Sequence, residues 1–203
     1  MHIPTKESQK VEILTFDEAL RHRDGSALYD REKWLYIPDF YSEYRYILGT
    51  RGKKPLITIG INPSTAEPDN LDNTLKSVSR IAAGNGFDSF IMFNVYAQRA
   101  TNPDHMDREL NEALHLENMR AFRYVLEQSG DSPAVWAAGG AIVEKRRYLA
   151  DCLADMVQIG NDFGARWYSA GKRSVKGHPH HPLYLKKDSL LDDFDMEEYL
   201  KLL

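Results

Sequence analysis

Several polar side chains stand directly after apolar runs in this sequence, at positions suited to ligand binding or bond cleavage. The stretch G-I-N-P-S-T-A (60–66) places Asn62 before a proline, which disfavours helical backbone at Asn62 and holds its amide in one place. The hydroxyls of Ser64 and Thr65 are suited to capping the next segment or binding an anion. A turn in which Asn62 only satisfies backbone groups explains the same motif, and both interpretations stay open.

A second group of polar residues follows the apolar run S-F-I-M-F-N-V (89–95). Asn94 carries a donor and an acceptor that could read the edge of a base, or it could fix the loop that follows. Arg99 offers a planar fork that binds phosphate or carboxylate, unless it pairs with an acid and orders the loop. Tyr96 is expected to stack on a ligand ring or to pack in the core.

The segment H-P-H-H-P (178–182) contains three imidazoles, His178, His180 and His181. A metal-assisted hydrolase would need further ligands, and no cysteine or carboxylate stands nearby at a standard ligand spacing. Glu67, Asp69 and Asp72 could supply oxygens only from across the sheet edge. We therefore predict no metal and no cofactor, and we favour a histidine that donates a hydrogen bond to a developing negative charge. A proline-stiffened surface loop is the alternative.

Strands and helices alternate along the chain. Short apolar runs predict strands over 55–61, 89–95, 133–138 and 165–170, and apolar spacing predicts helices from about 71 to 84, 103 to 129 and 141 to 157. A strand over 44–50 is expected to form an antiparallel hairpin with 55–61. This order predicts an α/β three-layer sandwich with a mainly parallel central sheet.

In open sheets of this kind, ligands bind outside the carboxyl ends of the strands. Asn62 follows the first of the four predicted strands, Asn94 ends the second, Gly139-Gly140 follows the third and His178 follows the fourth. Four strand ends delivering polar or glycine-rich loops to one edge predict a common site.

Length and composition limit the class of protein. We expect 203 residues to form a single domain, 1–203, with its core at about 34–187 and an acidic C-terminal helix at 188–203. One cysteine, Cys152, and a polar start without an apolar run predict a cytoplasmic protein with no membrane contact. The net charge of −4 argues against a protein that grips duplex DNA through many phosphates.

Four stretches together resemble a bacterial and phage domain-of-unknown-function family, number sixteen forty-three. The family pattern runs N-P-S-T-A, N-x-x-x-x-R-A-T, A-W-G and H-P-L-Y-L. This chain shows I-N-P-S-T-A (61–66), N-V-Y-A-Q-R-A-T-N-P (94–103), V-W-A-A-G-G (135–140) and G-H-P-H-H-P-L-Y-L (177–185). The third stretch departs from the simple W-G of the family, and the family lends no activity.

Three shorter motifs resemble the uracil-DNA glycosylase superfamily. G-I-N-P (60–63) is similar to the water-positioning motif of its mismatch-specific branch, although Ser64 stands where that branch has glycine. M-F-N-V (92–95) resembles the strand end whose asparagine reads a pyrimidine edge, and His178-Pro179 resembles the motif whose imidazole stabilises the leaving base. The resemblance implies a uracil-DNA-glycosylase-like fold in which Asn62, Asn94 and His178 take those roles.

These observations give a leading hypothesis and two rivals. The chain is expected to bind a nucleobase or nucleotide and to hydrolyse an N-glycosidic bond, with Asn62 and His178 catalytic. Its ligand-binding residues would be Ser64, Thr65, Asn94, Tyr96, Arg99, Gly139, Gly140 and His181. Single-stranded or damaged nucleic acid would be the most favourable substrate, since the base must leave the stack and this costs least free energy there. A non-catalytic nucleotide-binding module and a metal-assisted hydrolase built on the histidine loop are the rivals.

Overall fold

The computed structural model describes residues 1–203, which form one seven-stranded sheet with helices packed against it. The strands, in chain order, are β1 (Trp34–Ile37), β2 (Ile47–Thr50), β3 (Pro55–Gly60), β4 (Ser89–Asn94), β5 (Ala134–Ala137), β6 (Arg166–Ala170) and β7 (Leu191–Asp193). The α-helices are α1 (Phe16–Arg21), α2 (Asn73–Gly84), α3 (Glu112–Glu127), α4 (Tyr148–Asp162) and α5 (Met196–Leu200). Short 3₁₀ turns cover Ser8–Lys10, Pro103–His105, Gly140–Lys145 and Pro182–Tyr184.

The sheet is mixed, with spatial order β1-β2-β4-β3-β5-β6-β7. β3 pairs in parallel with β4 and β5, and β5 pairs in parallel with β6. The pairs β1–β2, β2–β4 and β6–β7 are antiparallel. The prediction of a mainly parallel sheet is therefore wrong. β1 and β2 at one edge and β7 at the other pair antiparallel, whereas parallel pairing needs a crossover connection, usually a helix.

Alternate residues of the central strands face two separate cores. Ile57 and Ile59 of β3 belong to a core that includes apolar residues of α3 and α4. Leu56, on the opposite face, belongs to a second core with Leu75 and Val78 of α2. Helices thus cover both faces of the sheet, and the three layers hold the carboxyl ends of β3, β4 and β5 at one edge.

The predicted hairpin between 44–50 and 55–61 is wrong, because β4 lies between β2 and β3. Gly49 explains the contact, since a Cβ at this position would lie only 2.3 Å from the carbonyl oxygen of Phe90. Only a residue without a side chain lets β2 approach β4 so closely.

Two predicted helices are divided in the structure. The Asn102 side chain caps the 3₁₀ turn Pro103–His105, and α3 begins later, after its own cap at Asn111. The segment after β5 forms the 3₁₀ turn Gly140–Lys145 before α4, because Arg146 has extended backbone and interrupts the helical path.

The acidic C-terminal segment also differs from the predicted single helix over 188–203. It first forms β7, with Leu191 paired to Ala170 of β6, and then the short helix α5. None of the helices has both the length and the apolar character needed to cross a membrane.

Candidate functional site

A cleft of about 470 Å³ opens at the carboxyl ends of β3 and β4. Its wall includes Gly60 of β3, Asn94 of β4, the 62–65 loop and the first turn of α2. His181 and Tyr184 of the histidine loop line it from the opposite side. The volume lies within the roughly 300–1,000 Å³ typical of ligand pockets.

The amide of Asn94 is the most unusual group in this cleft. Its side chain is 1% exposed, yet neither Nδ2 nor Oδ1 has a hydrogen-bond partner. A buried amide without partners costs roughly 1–3 kcal/mol. A group in the cleft that supplied both an acceptor and a donor would remove this cost.

Gly60 and Met92 form the immediate surroundings of that amide. Gly60 is paired in register with Asn94 on the neighbouring strand. A Cβ at position 60 would lie 2.5 Å from Cε of Met92 and 2.9 Å from Oδ1 of Asn94. The methionine methyl group and the amide oxygen therefore share the space above Gly60.

Asn62 is held by the backbone of its own loop and of the segment after β4. Its Nδ2 donates to the carbonyl oxygens of Pro63 at 3.1 Å and Ala100 at 2.7 Å. Both amide hydrogens are used, so only Oδ1 remains to accept a hydrogen bond from a ligand or a water molecule.

The same loop presents two hydroxyl groups at the rim of the cleft. Ser64 Oγ is hydrogen-bonded to Thr101 Oγ1 at 3.0 Å, and Thr65 also lines the cleft. Ser64 and Thr65 are partly exposed and lie within reach of a ligand that enters the cleft.

Arg99 holds this loop from beneath and does not line the cleft. It is fully buried. Its guanidinium donates to the carbonyl oxygens of Ser64 and Ala66 and, at 2.9 Å, to the hydroxyl of Tyr36. Arg99 thus contacts the loop through its carbonyl oxygens, and the pairing with an acid that the sequence also suggested is not formed.

His178 lies away from the cleft. It is 2% exposed, with Nδ1 3.0 Å from the hydroxyl of Tyr199 and Nε2 3.2 Å from Oε1 of Glu144. Both ring nitrogens are engaged by these two residues. The imidazole therefore joins the histidine loop to α5 and to the 3₁₀ turn after β5.

His181 is the histidine that lines the cleft. Its Nδ1 accepts a hydrogen bond from the backbone N–H of Leu183 at 3.3 Å, so the neutral ring carries its proton on Nε2. Burial lowers the pKa of His181. The ring is therefore a neutral Nε2–H donor near pH 7, and Ser77 of α2 anchors the loop through the carbonyl oxygen of Pro182 at 2.7 Å.

Three of the residues named from the sequence contribute to packing. Tyr96 is fully buried and donates to Asp107 at 2.7 Å. Gly139 and Gly140 line a small apolar cavity beside Ile61. A Cβ on Gly139 would lie 2.7 Å from Ile61 Cδ1, so this glycine allows the turn after β5 to pack against the start of the 62–66 loop.

Among the lining residues that were not predicted as ligand-binding residues of this site, three carry an aromatic ring or a charge. Tyr184 is 73% exposed at the mouth of the cleft. Its position in the H-P-L-Y-L stretch is the sequence feature that could have indicated it. Asp72 caps α2 through Oδ1 and is the only carboxylate in the lining. Arg45, between two tyrosines of an apolar stretch, gave no signal at all.

Arg45 is a buried cation in the cleft wall. It is 1% exposed, and burial, together with the positive charge of Arg99, lowers its pKa to about 9. Its one hydrogen bond to protein runs from Nη1 to the carbonyl oxygen of Ala66 at 3.1 Å.

His180, the remaining imidazole of the histidine loop, contacts the backbone. His180 Nδ1 lies 3.0 Å from the carbonyl oxygen of Lys172. The structure contains no group of three or more histidine, cysteine, aspartate or glutamate side chains arranged to hold a metal ion.

Comparison with known proteins gives a match to a protein family. A family model described as a protein of unknown function (DUF1643) matches residues 45–183, which is more than half of the chain. No curated protein and no solved structure gives a significant match. The matched range contains the 62–66 loop, Asn94, α2 and His181.

Proposed function

Because the chain belongs to the DUF1643 family of proteins of unknown function, its activity has to be inferred from its own site, and we propose that the cleft binds a nucleobase or nucleotide. The observation that carries this proposal is the amide of Asn94, which is buried in the cleft wall without a partner for either polar atom.

A base edge matches the chemistry of this amide. Asn94 offers one N–H donor face and one carbonyl acceptor side by side, and the edges of nucleobases present the complementary pair. A purely apolar ligand would leave both atoms unsatisfied, and a simple anion would satisfy only the donor. The amide therefore selects for a ligand that carries an amide-like edge.

Access to that edge requires Met92 to move. Its methyl group shares the space above Gly60 with the amide oxygen. The unbranched methionine side chain has three rotatable bonds and adapts readily to a ligand. A flat ring would take the place of the methyl group above Gly60.

Other groups in the cleft support a ring-shaped ligand. The exposed ring of Tyr184 at the mouth can stack on a base, which contributes about 1–3 kcal/mol in single-strand recognition. His181 offers its Nε2–H, and Asn62 offers Oδ1. A mononucleotide or one unstacked base of a single strand fits a cleft of about 470 Å³.

The resemblance to uracil-DNA glycosylases supports the same proposal for two of its three positions. Asn62 and Asn94 both line the cleft. The third role was assigned to His178, but the loop contains two His-Pro pairs, and the second, His181-Pro182, reaches the cleft. We assign to His181 the position that the resemblance gave to His178, and a glycosylase-like fold remains part of this proposal.

N-glycosidic hydrolysis is a second candidate, favoured by the carboxylate of Asp72 in the same cleft. One oxygen of Asp72 accepts the N–H of Leu75 at 2.9 Å, and the other forms no hydrogen bond to protein. This second oxygen could take a proton from water while the Nε2–H of His181 stabilises the departing base. Water would add to the sugar carbon as the bond to the base nitrogen breaks.

Binding is tested by isothermal titration calorimetry with free bases and nucleosides of all five common types. We expect one class to bind the wild-type protein and Asn94→Leu to abolish that binding. Asn94→Asp keeps the shape but removes the N–H donors, so it should weaken binding of the same ligand. The proposal is wrong if no base or nucleoside binds at millimolar concentration, or if Asn94→Leu binds as tightly as the wild type.

Hydrolysis is tested on single-stranded oligonucleotides containing uracil, hypoxanthine or alkylated bases, with abasic sites as the product. Asp72→Asn retains the oxygen that caps α2 but cannot accept the proton from water. Abasic product that is lost in Asp72→Asn would support catalysis. Ligand binding without product in the wild type would leave a non-catalytic binding module.

A further inference from the structure

Two buried arginines beside the cleft lack a carboxylate within salt-bridge distance. Arg45 and Arg99 are 1% and 0% exposed, and neither forms a salt bridge. Their hydrogen bonds go to carbonyl oxygens and to one tyrosine hydroxyl, and Nε of each arginine has no partner. Buried charges are normally paired, because removing a lone ion from water is expensive.

The two arginines differ in how much of the guanidinium is used. Arg99 makes three hydrogen bonds to protein groups and lies over the ring of Tyr41 at 4.3 Å. Arg45 makes one hydrogen bond to protein and lines the cleft. Arg45 is therefore the cation with hydrogen-bond donors left over, and it forms part of the cleft wall.

Further hydrogen-bond donors surround the same space. Asn73 and Thr74, in the first turn of the twelve-residue helix α2, line the cleft, and the first N–H groups of a helix lack intrahelical acceptors and attract anions. The N–H of Leu75 is not among these donors, because it donates to Asp72. Ser64 and Thr65 add hydroxyls from the 62–66 loop.

The charge balance of the cleft limits the anion it would accept. Arg45 is its only strong cation, and Asp72, which caps α2, is its only carboxylate. One phosphate finds a partner in Arg45, whereas a triphosphate would bring a charge that a single arginine beside an aspartate does not balance.

We propose that Arg45 is the phosphate-binding residue of this cleft and that the ligand is a nucleoside monophosphate. This inference rests on the proposed function for the base and adds the phosphate. Asn94 would read the base edge, and Arg45 would take the phosphate together with the donors of the 62–66 loop and the first turn of α2.

Calorimetry with three probes tests the inference: inorganic phosphate, a nucleoside that binds, and its 5′-monophosphate. In the wild type we expect the monophosphate to bind at least about tenfold more tightly than the nucleoside, as one charge-assisted hydrogen bond implies. In Arg45→Met this ratio should fall to about one, because the phosphate loses its charged partner. Arg147→Met, at an exposed arginine that makes no side-chain hydrogen bond, is the matched control and should keep the full ratio.

Arg45→Lys keeps the positive charge, so the same affinity ratio can be measured in this variant if Arg45→Met does not fold. It should retain part of the preference for the monophosphate, because a point charge replaces the planar fork. Equal affinities for nucleoside and monophosphate in the wild type would overturn the inference, as would a full ratio in Arg45→Met.

The probes also separate this inference from the proposed function. Binding of inorganic phosphate that depends on Arg45, without binding of any nucleoside, would keep the anion site and reject the base. Binding of nucleosides without a gain from phosphate would keep the base site and reject the anion site. Tighter binding of a single-stranded oligonucleotide than of the monophosphate would overturn the assignment to a free nucleotide.

Discussion

Gly60 and Asn94 lie opposite each other on neighbouring parallel strands, and a Cβ at position 60 would lie 2.9 Å from the amide oxygen of Asn94. In the proposed binding mode a ligand reaches the amide over Gly60 after the methyl group of Met92 has moved aside. Because the same Cβ would also lie 2.5 Å from the methyl group of Met92, a side chain at this position must displace one of the two.

Gly60→Ala should therefore abolish ligand binding while the protein still folds. The flexible Met92 can move, so we expect a loss of about 1–3 kcal/mol in the free energy of unfolding, as for other overpacked sites. Calorimetry and thermal melting measure the two effects. Gly84→Ala is the control, because a Cβ there meets nothing within 4 Å, and undiminished affinity in Gly60→Ala would contradict the assignment.

Asn94→Leu and Asn118→Leu should differ in their effects on stability. The Asn94 amide has no partners, so an apolar side chain of similar size should leave the melting temperature unchanged or raise it. Asn118 is equally buried, but its Nδ2 donates to the carbonyl oxygens of Asn94 and Val95 at 2.9 and 3.2 Å. Its replacement should cost about 1–3 kcal/mol.

Urea unfolding of both variants checks this pair. A marked loss of stability in Asn94→Leu would mean that the amide is satisfied in the folded protein without a ligand. That result would remove the main support for the proposed function.

Arg99→Met should destabilise the protein and weaken ligand binding, although Arg99 does not line the cleft. It removes the hydrogen bonds that hold the carbonyl oxygens of Ser64 and Ala66 in place. We expect a loss of about 1–3 kcal/mol, because those bonds outweigh the gain from removing a buried charge. Arg166→Met, which breaks an exposed pair with Asp193, should cost no more than about 0.5 kcal/mol.

His181 should make stability fall as the pH is lowered from neutral. Burial lowers its pKa in the folded state below the ordinary value of 6.5, with a smaller opposing effect of Asp72 and a small further lowering by His180. Between the two pKa values the unfolded chain binds the proton and the folded chain does not, so acid favours unfolding there.

His181→Asn retains an acceptor for the N–H of Leu183 and removes the titration. Urea unfolding at pH 7.5 and pH 5.5 should show a smaller loss of stability in this variant than in the wild type. An identical loss in both proteins would show that the pKa of His181 is the same in the folded and unfolded chains.

The central strands could be predicted because local sequence determines them. The apolar runs 55–61, 89–95, 133–138 and 165–170 are bounded by turn residues, and the structure places strands at Pro55–Gly60, Ser89–Asn94, Ala134–Ala137 and Arg166–Ala170. The edge strands β1 and β7 were not predicted, since their pairing depends on partners whose position no local pattern reveals.

The site was partly predictable for the same reason. The rule that ligands bind at strand ends led to Asn62 and Asn94, which both line the cleft. The choice between His178 and His181 depends on how a proline-rich loop turns, and the two His-Pro pairs are alike in sequence. Arg45 could not be found, because a charged residue in an apolar stretch gives no indication of which cavity it faces.

The position of β4 between β2 and β3 has a consequence for synthesis on the ribosome. β2 ends at Thr50, but the strand that covers its open edge begins only at Ser89. At about 5–20 residues per second, the nascent chain carries that uncovered edge for about 2–8 s. Unpaired strand edges invite association with other chains, so slow translation through this interval should favour aggregation of newly made protein.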